Sequence, residues 1–186
     1  MPCERNREAF IEWGIAHDLK GIGFYSGYPT LPVKEIRTRT GTDLDGVYDW
    51  DQSPLTLVLP VRSPTHFVAL SQYLTQFLPQ LYAALDAIGT VYFFRFILVG
   101  THAMVLVAEH DLPAEKLFQE LSTHLGPMFD EIFGNVIDGP ATPVQKNTRA
   151  FTDWIVAHNL KTWGLYSAYP TLSVQEIRAL AANRAT

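Results

Sequence analysis

Apolar positions along the chain fall into two rhythms. Phe67, Leu70, Leu74, Phe77, Leu78, Leu81, Leu85 and Ile88 recur at spacings of three and four, which is one face of a long amphipathic helix. Ser63-Pro64 supplies an N-cap and a proline at the first helical position, and Gly89 a stop. Pro79 inside this helix predicts a kink. Leu117, Phe118, Leu121 and Leu125 mark another helical face, opened by Asp111 to Pro113. Gly126-Pro127 is expected to break that helix, with Met128, Phe129, Ile132 and Phe133 carrying a further apolar face to Gly134. Leu55 to Val61 is almost wholly apolar with little alternation, as in a strand covered on both faces. Val91–Val99 and Ala103–Glu109 are rich in β-branched and aromatic residues and read as a hairpin around Gly100-Thr101. As a membrane helix the same stretch would be short and would carry Arg95 near its centre, a costly position.

Outside this central body the chain repeats itself. Residues 6–37 and 147–178 align without a gap at an offset of 141, with 19 of 32 positions identical. Two copies are too few for a stacked array, so they read as related arms flanking one body. Each copy predicts helix, short strand, turn and helix. Phe10, Trp13 and His17 share one helical face, as do Phe151, Trp154, Ile155 and His158, and the helices should end near Lys20 and Lys161. Gly21–Ser26 and residues 162–167 are the short strands, stopped by Pro29 and Pro170. Ser173 and Glu176 have capping-box spacing, with Thr30 and Thr171 as competing caps. Gly139 to Pro143 is a loop into the second copy.

Composition limits what such a chain can do. With 186 residues and 47% apolar content it can bury a real core. The net charge of −5 argues against a nucleic-acid binder. The single cysteine, Cys3, excludes an internal disulfide framework and a cysteine-based zinc site. No signal-peptide pattern opens the sequence, so the expectation is a cytoplasmic protein with no membrane partner. Asp43, Asp45, Asp49 and Asp51 miss the EF-hand register and read as a solvated linker. The domains expected are an arm and acidic linker over 1–52 and an α+β domain over 53–186, the latter holding the second copy at 147–178.

In chain order, the body gives strand, helix, strand, strand and helix, and the second copy would add a fourth strand. That is the β-α-β-β-α-β order of a ferredoxin-like α+β sandwich, to which the first copy would attach at an edge or on a face. Tyr92–Val99, Glu109-His110-Asp111, Gly126–Phe133 and the Phe-Tyr-Ser-x-Tyr-Pro segment from Phe24 resemble a group of mainly bacterial ferredoxin-like proteins, some linked to redox or peroxidase systems. Apart from the segment at Phe24, the resemblance spans roughly residues 55–178. It implies a fold and supplies no catalytic residues.

Arg95 is the most conspicuous candidate, being the only Lys or Arg between Arg62 and Lys116. In an apolar strand a guanidinium needs an acid, a carbonyl or a bound anion. Alternation places it with Val91, Phe93, Ile97 and Val99; a two-residue turn at Gly100-Thr101 would add Met104 and Leu106, with His102 and His110 at the ends. It would then anchor a carboxylate or phenolate in an aromatic cavity, or pair internally with Glu109, Asp111 or Asp130. Tyr25, Tyr166, His17 and His158 complete the candidate ligand-binding set, with Tyr28/Tyr169 and Arg37/Arg178 as further matched pairs. Packing is the competing explanation for all of the repeat's aromatics. The histidines lack metal-motif spacing, and a haem would need only one of them but no attachment motif is present, so the cofactor stays unknown. The function expected is binding of an apolar or aromatic small molecule with an acidic group. The alternative is an interaction or dimerisation module built on the arms, in either case with a homo-oligomer expected.

Overall fold

The structure is a computed structural model. It describes residues 20–28, 35, 36, 38, 52–162, 167, 169 and 171–182. The elements are β1 (Lys20–Ser26), β2 (Ser53–Pro60), α1 (Pro64–Ile88), β3 (Val91–Val99), β4 (Ala103–His110), α2 (Ala114–Asn135), α3 (Thr148–His158) and α4 (Val174–Ala182). The strands form one antiparallel sheet in the order β1-β3-β4-β2. The chain is therefore an α+β protein, and no helix among the described residues is long and apolar enough to cross a membrane.

One face of the sheet carries the core. Leu55, Leu57 and Leu59 of β2, Phe94, Phe96 and Leu98 of β3 and Met104, Leu106 and Ala108 of β4 are buried against α1 and α2. Each such leucine or phenylalanine contributes about 1.5–3 kcal/mol relative to exposure. The helix α3 packs on α2 through Phe151, which meets Phe118, Phe129 and Phe133. Among the described residues, no helix covers the other face over Arg95 and Val58, which are exposed. β2 was expected to be covered on both sides, yet its burial alternates and Val58 is 44% exposed. An apolar run reads the same whether one face is covered or two, so only the packing of the helices distinguishes them.

Two further expectations are corrected. The helix α2 runs unbroken through Gly126-Pro127. Proline cannot donate to the Thr123 carbonyl one turn earlier. The Gln145 side chain does so instead, with Nε2 to that oxygen at 3.0 Å. Gln145 lies so close over Gly126 that a Cβ there would come within 2.5 Å of its Cγ. As the apolar periodicity predicts, α1 continues past Pro79 to Ile88. In the second copy, α3 ends at His158 and not near Lys161, because Asn159 and Leu160 turn toward β2.

A smaller core sits at one end of the sheet. Tyr28, Ile36, Tyr92, Tyr169, Val174 and Ile177 are buried together. Tyr28 and Tyr169, and Ile36 and Ile177, occupy equivalent repeat positions, each pair 141 residues apart. The two tyrosine hydroxyls are hydrogen-bonded to each other. In both copies the tyrosine N–H donates to a serine hydroxyl two residues earlier, Ser26 and Ser167 respectively. The helix α4 is fastened here by the expected Ser173–Glu176 capping box and by Asp111, whose carboxylate accepts from the Val174 N–H at 2.8 Å.

Candidate functional site

The open face gathers the chemistry around Arg95. Two local irregularities decide its neighbours. Val99 lies opposite Ala103, so the hairpin turn holds three residues, Gly100 to His102. Arg95 consequently faces Val107, and its face carries Val105, Val107 and Glu109. Met104 and Leu106, expected beside it, point into the core, since a register change of one residue exchanges the faces of a strand. A bulge between Val91 and Phe93 likewise turns Val91 into the core.

A second bulge lies in β1, between Ile22 and Tyr25. Gly23 adopts φ +69 there, a left-handed conformation suited to glycine, and a Cβ would come within 2.7 Å of Leu78. The bulge sends Tyr25 to the core and leaves Phe24 62% exposed on the open face. Phe24 then lies 6.2 Å from Phe93, centroid to centroid. Together with Arg95, Val107, Ala108 and Glu109 they line an open cleft of about 240 Å³.

The Arg95 side chain is exposed, and no acid lies within ion-pair distance of it among the described residues. The internal pairing considered from sequence is therefore absent there. Asp111 caps α4 and Asp130 accepts from the Val144 N–H at 2.7 Å. Glu109 is half-buried beside the cleft. Burial pushes its carboxyl above the usual range, and the Arg95 charge partly opposes that rise. The cleft thus offers a cation, two aromatic rings, and a carboxyl inclined to keep its proton.

The other candidate residues lie elsewhere. Tyr25 is on the opposite face, where its hydroxyl donates to Asp86 at 2.8 Å and accepts from Arg178 at 2.9 Å. Burial and the Asp86 hydrogen bond hold its phenol well above the ordinary value. Arg178 also bonds Asp86 at 3.0 Å and the Gly27 carbonyl at 2.8 Å, so this network ties β1, α1 and α4 together. His102 is exposed in the hairpin turn. His158, expected on an apolar face, is exposed; it donates from Nδ1 to the Trp154 carbonyl at 2.7 Å and stacks on that indole. His110 is buried at the end of β4 on the helix side. His17, Tyr166 and Arg37 lie outside the described residues, as do the acidic cluster and most of the second copy's expected strand.

Phe24 is the site residue the sequence reading passed over. Its signal was Gly23, since glycine inside a strand marks a bulge that re-aims the next side chain. No family model, curated protein or solved structure matches the chain.

Proposed function

We propose that this chain is a ferredoxin-like protein that binds a small aromatic or apolar molecule with an acidic group, held by Arg95 on the open face of the sheet. The observation that carries the reading is an exposed guanidinium, with no acid in ion-pair distance among the described residues, in a cleft that two phenylalanine rings also line. Arg95 would take the acidic group by charge-assisted hydrogen bonds while Phe24 and Phe93 bury the ring. The ferredoxin-like assignment is supported by the order β2-α1-β3-β4-α2, with β4 lying between β2 and β3. It is supported too by the second copy's path, where the Leu160 N–H bonds the Thr56 carbonyl of β2 at 2.9 Å. That is the edge at which the fold's last strand would pair.

Calorimetric titration with aryl carboxylates and their matching aryl amides tests this. Carboxylates should bind about tenfold or more tightly than amides, and Arg95→Met should erase the difference. Equal affinity for both classes, or indifference to Arg95→Met, sinks the reading.

The second reading, an interaction module, is favoured by the exposure of Phe24 and Val58 on the same face. A second copy is the occupant proposed. Across a two-fold axis, Arg95 and Glu109 of one protomer would meet their opposites on its partner. Sedimentation equilibrium should then report a dimer that Phe24→Asp converts to a monomer. A monomer in both cases counts against it.

A further inference from the structure

A second opening, with apolar walls, lies on the other side of the sheet, away from Arg95. It is a cleft of about 410 Å³ between the ends of β2, β4, α2 and α3. Pro54, Ala114, Phe118, Val156 and Leu160 form its apolar walls, and His110 and Lys161 are among its polar lining. Val156 and Leu160 are half-exposed along this wall, an arrangement that costs apolar hydration unless something covers them.

His110 is the buried polar group of this lining. Its side chain is only 2% exposed. Nδ1 lies 2.8 Å from the Leu112 carbonyl. A carbonyl can only accept, so Nδ1 carries the proton and the neutral ring keeps its lone pair on Nε2. Burial moves the same way, pushing the imidazole below its ordinary value and disfavouring the cation. No partner for Nε2 occurs among the described residues. His110 therefore offers a fixed acceptor to the cleft, whose apolar walls include the Phe118 ring. A donor-free hydrocarbon would leave that acceptor unsatisfied. The volume suits one or two fused rings.

We infer that this cleft is a second binding site, for a neutral hydroxylated aromatic of the phenol class, whose O–H donates to Nε2 of His110 while its ring packs on Phe118, Val156 and Leu160. The site is independent of Arg95, because the sheet separates the two. Its ligand is distinguished from an aryl carboxylate by needing a donor where the other needs a charge.

Titration of the full chain with 4-chlorophenol and with its methyl ether, 4-chloroanisole, tests the inference. Nitrogen-detected imidazole spectra should show the His110 Nε2 resonance moving toward the hydrogen-bonded position with the phenol and staying put with the ether. The phenol should bind about tenfold more tightly, as expected for a buried acceptor satisfied or not. Because replacing the buried His110 also changes the packing around it, the companion variant is Val156→Trp at the exposed wall. It should fill the cleft and abolish phenol binding, whereas Arg95→Met should leave it unchanged. Equal binding of phenol and ether, an unmoved His110 resonance, or phenol binding that survives Val156→Trp overturns the inference.

Discussion

At the scale of single residues, environment separates side chains that look alike on paper. His102, His110 and His158 are three histidines with three surroundings, and only His110 is buried. That burial has a pH consequence. With its folded-state value below the ordinary 6.5, His110 binds a proton more readily when unfolded. Stability should therefore rise with pH through the window below 6.5 and be lost as pH falls through it. Glu109 acts with the opposite sign in a lower window, from 4.5 upward, since the folded chain holds its proton longer. Urea melts of the native chain and of His110→Leu at a series of pH values separate the two. The variant should lose the slope just below 6.5 and keep the Glu109 contribution. An unchanged slope would show that another group carries it.

At the scale of elements, the departures from sequence expectation are each explained by a partner remote in the chain. Gly126-Pro127 should end a helix by local rules, yet α2 continues because Gln145 satisfies the carbonyl that Pro127 leaves free. Gln145→Ala should cost about 0.5–1.5 kcal/mol in a chemical melt. In a Pro127→Ala background the restored N–H competes for the same carbonyl, so the cost should shrink. A full, additive cost in both backgrounds would refute the account. Capping, by contrast, is local and was legible: Ser173 and Glu176 stand three apart and form the box. Ser173→Ala should lower stability by about 1 kcal/mol, a loss measurable by thermal denaturation. The hairpin shows the limit of local reading. The difference between a two- and a three-residue turn is invisible in Gly100-Thr101-His102, but it decides whether Arg95 faces Leu106 or Val107.

At the scale of the molecule, equivalent residues of the two repeat copies meet in one small core. The Tyr28 and Tyr169 hydroxyls satisfy each other there, and burial holds both phenols above their ordinary range. Tyr28→Phe or Tyr169→Phe strands one buried hydroxyl and should cost about 1–3 kcal/mol. Removing both hydroxyls leaves none unpaired, so the double variant should lose clearly less than the sum of the singles in a denaturant-melt cycle. Additive losses would mean that each hydroxyl is satisfied elsewhere. The same cores explain why the sheet keeps one open face. The described helices of the main core lie on the side of Leu57, Phe96 and Leu106, and the opposite side retains Arg95, Phe24 and Val58.

The sequence by itself determined the helices, the central strands, the repeat and the conspicuousness of Arg95. These follow from periodicity, caps and composition, which act over a few residues. The tertiary structure decided which face each strand presents, which carbonyl Gln145 reaches, and that Arg95 and His110 lie on opposite sides of the sheet. Those outcomes depend on register, bulges and contacts between distant segments. A shift of one residue in a strand leaves its composition unchanged while exchanging every side chain between core and solvent.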